Sequence, residues 1–261
     1  MQDNQAFRAL FTLPPIQASA NTALAVPEMP APKVVTGDRE LDAVLWLQEC
    51  VGTGHQVLID KALEAAKKIT TPMKELGLRY GQYLARRSNS SLLAAMGSMG
   101  FGELEEQAKG AIKKKERQHV ALSRFGTVET LFSDTPAEAA CKKALRGLKC
   151  NKSTHYSYDD AQASERFAKK LELQPLTLAD CLYGQTYWDD LYKLRCPFDG
   201  YGDGPAYAQA HDDHCFSLMV KLAPRSKDEA LAVFDYMEER EATNRTWAPA
   251  ILRNLIAGGW A

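Results

Sequence analysis

The sequence predicts an all-α protein, and three features carry that reading. Apolar residues recur at every third or fourth position beyond residue 36, and helix-start signals precede many of those stretches. No segment alternates apolar and polar residues for long, and no Asn-Gly turn sits between β-branched runs. Hydrophobic residues at 45% and charged residues at 25% of 261 place the chain among globular proteins with a sizeable core, away from disordered, collagen-like and membrane compositions.

Residues 1–35 read as an extended or flexible arm. Leu13-Pro14-Pro15 and the Pro/Ala-rich run from Val26 to Lys33 exclude a regular helix or a paired strand. Phe7, Leu10, Phe11 and Leu13 make the first residues a docking segment, for the protein's own body ahead of a partner. The N-terminus has neither a basic n-region nor an apolar h-region, and no window reaches the ~18 apolar residues of a membrane helix. The expected location is cytoplasmic, with no membrane partner. Six cysteines without a C-x-x-C pair are then expected as reduced thiols.

Helical regions are expected over 36–152 and 153–261, divided where composition changes near Lys152 to Ser157 and possessing either one core or two. Thr36 and Asp38 are N-cap candidates for a helix through Leu41, Val44 and Leu45 that stops at Gly52 to Gly54. From Gln56, the residues Ile59, Ala62, Leu63, Ala66 and Ile69 form an amphipathic helix. Thr71-Pro72 opens a third helix, ending near Arg87, and a short apolar helix follows before Gly97, Gly100 and Gly102. A long helix starts at Glu103 and runs towards Ser123, with Leu104, Ala108, Ala111, Ile112 and Val120 on one side and a basic outer surface. Thr135-Pro136-Ala137-Glu138 is a capping box, and Ser157–Asp160, Thr177–Asp180 and Ser226–Glu229 mark three further helix starts. Ala230, Leu231, Phe234 and Met237 are the expected core stripe of the last of these, and a short helix around Trp247 to Ile256 closes the chain.

Charge is unevenly distributed. Lys109 to Lys152 holds eleven Lys/Arg against four Asp/Glu, a local net of plus seven in a chain whose total is minus one. Lys113, Lys114, Lys115 and Arg117 fall in one expected helix, and Lys142, Lys143 and Arg146 in the next. Such cations attract the phosphates of nucleic acid, whose affinity is driven by counterion release, or an acidic protein surface. The competing reading is two solvated helix faces.

A second cluster, His211-Asp212-Asp213-His214-Cys215, consists of metal-ligand residue types. On a helix His211, His214 and Cys215 share one face, and a zinc ion would recruit Cys196 as fourth ligand, either as a structural site or as a hydrolytic one with Asp212. Neither H-E-x-x-H nor C-x-x-C is present, which favours buried histidines with ordinary hydrogen bonds and no bound cofactor. The turn after Asp199 fails the calcium-loop pattern, and the Gly97–Gly102 group matches no phosphate loop. Tyr183 and Tyr187 read as a packed helix face.

The expectation is therefore a non-enzymatic helical binding or regulatory protein with a basic central surface for nucleic acid or an acidic protein. The alternatives are a metal-dependent hydrolase or zinc-stabilised domain, and a protein-protein inhibitor or assembly factor docking through its N-terminal arm.

Overall fold

The computed structural model describes residues 2–17, 28–150, 157–198 and 202–258. Among them the protein is all-α, with thirteen α-helices, two 3-10 turns and no β-strand. No helix of these residues is long and apolar enough to cross a membrane.

The chain forms two compact units, residues 19–120 and residues 1–18 with 121–261. The boundary falls inside a helix, between Val120 and Ala121, rather than near residue 152 where composition changes. The second unit gathers both ends of the sequence.

The unit formed by 19–120 contains α2 (Arg39–Gly52), α3 (Gln56–Ala66), α4 (Met73–Ser88), α5 (Ser91–Ser98) and the first part of α6 (Leu104–Phe125). Asp38 caps α2 by accepting the Glu40 and Leu41 N–H groups, and its carboxylate pairs with Arg79 of α4. Thr71 does not cap α4 as expected. Its hydroxyl donates to Glu40 at 2.8 Å, and Pro72 takes the cap position. Leu47, Cys50, Val51, Ile59, Ala62, Leu104 and Ala108 form one core, and Leu41, Val44, Leu76 and Phe101 a second. Val120, placed by periodicity on the buried side of α6, is 42% exposed.

The discontinuous unit holds α1 (Gln5–Leu10), the end of α6, α7 (Val128–Phe132), α8 (Pro136–Ala144), α9 (Asp160–Ala168), α10 (Leu178–Arg195), α11 (Ala206–Leu218), α12 (Lys227–Glu239) and α13 (Ala248–Ala257). Residues 5–10 are helical, against the expectation of an extended arm. Asn4 caps them by accepting the Phe7 N–H, and Phe7 and Phe11, one turn apart, are both buried. Two buried aromatic side chains contribute about 2–3 kcal/mol each at the usual transfer value, which offsets the poor intrinsic stability of a six-residue helix. Thr135 and Glu138 form both bonds of the capping box at the start of α8. In α12 the buried apolar side chains are Ala230, Val233 and Met237. Leu231 and Phe234, counted as core by periodicity, are 46% and 37% exposed, so the stripe is rotated by one position.

Glu138 has a second partner that fixes α10 against α8. Its carboxylate takes a two-pronged contact from Arg195, Nη1 to Oε1 at 2.7 Å and Nη2 to Oε2 at 2.9 Å. The same guanidinium donates to the carbonyls of Leu131 and Ser133, and Tyr207 donates its hydroxyl to Glu138 at 2.9 Å. Burial pushes the Glu138 carboxyl up, but the Arg195 and Thr135 hydrogen bonds win and hold it below its ordinary value.

Candidate functional site

The basic residues separate into two groups because the compact units divide α6. Lys113, Lys114, Lys115 and Arg117 belong to 19–120, and Lys142, Lys143 and Arg146 to the discontinuous unit. On a repeat of about 3.6 residues, Lys113 and Arg117 fall on the side of α6 opposite the buried Leu104 and Ala108, with Lys114 at the flank. All three are exposed. Lys115 falls on the inner side, and its ammonium lies 3.0 Å from His55 Nε2. Burial, then the charge of Lys115, holds the His55 imidazole below its ordinary value, which keeps it neutral and able to accept that hydrogen bond. Gly54 allows this approach. Its φ is +68°, and a Cβ there would meet the Ala111 carbonyl oxygen at 2.8 Å. Lys115 is thus half-buried, with its ammonium engaged by His55.

On and after α8, Lys142, Lys143 and Arg146 are exposed. Lys142 pairs with Asp134 at 2.5 Å and its ammonium lies 4.8 Å from the centre of the Tyr207 ring. The local acid that sequence counting sets against these cations, Glu138, is buried with Arg195, so the outer side of α8 is more positive than the tally suggests.

The histidine cluster lies in the interior. Trp188 donates its indole N–H to His211 Nδ1 at 3.2 Å, which leaves the proton on Nε2, facing the Leu173 carbonyl at 3.1 Å. Ser164 Oγ lies 3.1 Å from His214 Nδ1, and Gln174 Oε1 lies 3.2 Å from His214 Nε2, which gives His214 the same tautomer. All four ring nitrogens are engaged. Burial, then the neighbouring His214, pushes His211 down to about 3. Burial, then Lys221, pushes His214 down to about 4. Cys215 is buried with its thiol 3.6 Å from His211 Nδ1, and burial raises its pKa. Cys196 is exposed at the C-cap of α10. Among the described residues no three His, Cys, Asp or Glu side chains are grouped to hold a metal ion. Zinc is the alternative that spacing offers, and His211 and His214 instead lie in the hydrogen-bonded interior. The Asp199 turn lies partly outside the described residues.

Asp212 is the other perturbed group on α11. Burial pushes its carboxyl up to about 6, although Arg245 lies 3.5 Å away and also pairs with Asp213. Gln185 of α10 is fully buried and turns its amide towards Asp212 without closing a hydrogen bond.

Phe7 and Phe11 are the residues that sequence reasoning left outside the site. Phe11 stacks on His211 with ring centres 4.6 Å apart and meets Tyr187 and Trp188 edge-on at 5.3 and 5.7 Å. The signal was their four-residue spacing after Asn4, hidden by the prolines that follow.

These features define an all-α protein with outward cations on two helices and a neutral, aromatic-lined histidine pair inside. Comparison with protein-family models, curated proteins and solved structures finds no match.

Proposed function

We propose that this chain is a non-enzymatic helical binding or regulatory protein that engages a polyanion, either nucleic acid or an acidic protein surface, through exposed cations of α6 and α8. The observation that carries the reading is the outer side of α6, where Lys113 and Arg117 are exposed opposite the core residues, Lys114 is exposed at the flank, and the half-buried Lys115 meets His55. Lys143 and Arg146 are the corresponding exposed cations of the discontinuous unit.

The test is fluorescence anisotropy of labelled single- and double-stranded DNA and RNA across a salt series. Binding is expected to weaken steeply with salt, and the K113E/K114E/R117E variant is expected to weaken it at least tenfold. On duplex DNA the slope of log affinity against log salt should become shallower by about 0.9 for each phosphate that the variant no longer neutralises. Nucleic-acid binding with the parent's affinity and slope in that variant and in K143E/R146E would overturn the reading. Absence of nucleic-acid binding at low salt leaves the acidic protein surface as its remaining form, tested by the same variants against a polyglutamate probe.

A further inference from the structure

Residues 3–12 are held by the rest of their unit as a ligand is held in a groove. The Phe7 ring fills the space over Gly184, where a Cβ would come within 2.8 Å of its Cζ, and Phe11 lies among His211, Tyr187 and Trp188. Polar clamps flank this apolar pair on both sides. Asp180 accepts the Asn4 N–H at 2.9 Å and the Arg8 Nε–H at 2.8 Å. The Asn4 amide donates to the carbonyls of Leu171 and Gln174 at 2.7 and 2.8 Å. Asp3 pairs with Arg225 at 2.8 Å and accepts from Thr177, and the Thr12 hydroxyl lies 2.8 Å from that of Tyr183.

Two properties distinguish this arrangement from an ordinary terminal helix. The contacts follow the anchor logic of a peptide in a receptor, with a capping residue, two aromatic anchors one turn apart, and charged or polar groups that fix register. The segment is also separated in sequence from its groove by residues 19–120, which cluster as a compact unit of their own. Backbone continuity therefore does not place it against α10 and α11; the non-covalent contacts do.

We propose that the groove lined by α10, α11 and the Leu171–Leu173 turn is a peptide-binding site. Its ligand class is a short helical segment of the pattern Asn-x-x-Phe-Arg-x-x-Phe-Thr, and residues 3–12 are its resident ligand. A segment of this pattern on a partner chain displaces the resident one, competing against a tethered copy whose binding is intramolecular. The pattern is specific because each position meets a defined receptor group, with Asp180 serving both Asn4 and Arg8. Phe7 requires Gly184, Arg8 and the Asn4 backbone require Asp180, and Phe11 requires the neutral ring of His211. This site is independent of the α6 and α8 cations, and its failure would leave the polyanion reading untouched.

The experiment uses the full chain carrying F7A/F11A, whose own segment is weakened, and a fluorescein-labelled peptide of residues 2–17 as the probe. Helical circular dichroism is checked first. The expected result is saturable binding to the variant, at least tenfold tighter than to the wild-type chain, and at least tenfold weaker when the probe carries Phe11→Ala. A folded variant that does not take up the probe overturns the proposal. Hydrogen exchange of the wild-type chain decides the matter if the variant does not fold. Amides of Phe7 to Phe11 exchanging through a local opening, well before those of α10, support a separable ligand, whereas exchange only with global unfolding overturns it.

Discussion

Replacing Glu138 by alanine tests the claim that the α8–α10 contact is an ion pair worth more than its surroundings. Arg195 and Glu138 are 5% and 2% exposed, so the substitution leaves a buried guanidinium facing the carbonyls of Leu131 and Ser133 in place of a carboxylate. Breaking a buried pair from one side costs about 3–5 kcal/mol. The loss of the capping-box bond to the Thr135 N–H adds to this, with a cap substitution typically costing ~1 kcal/mol. The Tyr207 hydroxyl also loses its acceptor. A total of about 4–6 kcal/mol corresponds to a fall in melting temperature of about 8–24 °C for a unit of this size. Urea and thermal unfolding followed by circular dichroism measure the loss. The double variant E138L/R195M, which removes both charges, is expected to recover a large part of it, because the cost lies in the stranded charge rather than in the absent attraction. A loss below ~1 kcal/mol for E138A, or a double variant worse than the single one, would refute the reasoning.

Two further predictions concern proton linkage in α11. Asp212 binds its proton more tightly in the folded chain than at its ordinary value of 3.8, so its contribution to stability is present at low pH and lost as pH rises from about 4 to about 6. That contribution is at most about 3 kcal/mol, and D212N is expected to gain stability relative to wild type across this window; a difference curve flat from pH 4 to 7 would contradict it. His211 and His214 have the opposite sign, because folding holds both neutral, and their contributions fade as pH falls below the ordinary 6.5 towards about 3 for His211 and about 4 for His214. Heteronuclear NMR of the imidazoles should find both as the Nε2–H tautomer with no titration between pH 5 and 8, and protonation of either ring in that range would refute the hydrogen-bond assignment.

The fold was legible where local chemistry and periodicity agree. Asp38, Thr135, Thr177 and Ser226 each open a helix in the structure, because a capping side chain satisfies backbone donors using only residues within three positions. Periodicity was less secure within a helix. Leu231 and Phe234 suit a core stripe by residue type, yet Val233 is the side chain that packs, since a helix's rotation is set by its neighbours and not by its own composition.

The candidate sites depended on contacts between distant residues, which no local pattern encodes. The run of ligand-type residues from His211 to Cys215 offered zinc as an alternative, but the nitrogens of His211 and His214 meet Trp188, Leu173, Ser164 and Gln174, none of them adjacent in sequence to α11. The basic run had the same defect in reverse. Lys113, Lys114 and Lys115 are consecutive, so the 100° step of a helix must turn at least one of them away from the others, and His55 selects Lys115. The prolines at 14 and 15 likewise end a regular segment without excluding one before them, and Asn4, Phe7 and Phe11 complete a helical anchor set ahead of that stop. That set acquires meaning only from Asp180, Gly184 and His211, far along the chain. A chain whose N-terminal residues and C-terminal helices share one core, with a second compact unit between them, therefore reveals its helices locally and its binding groove only on folding.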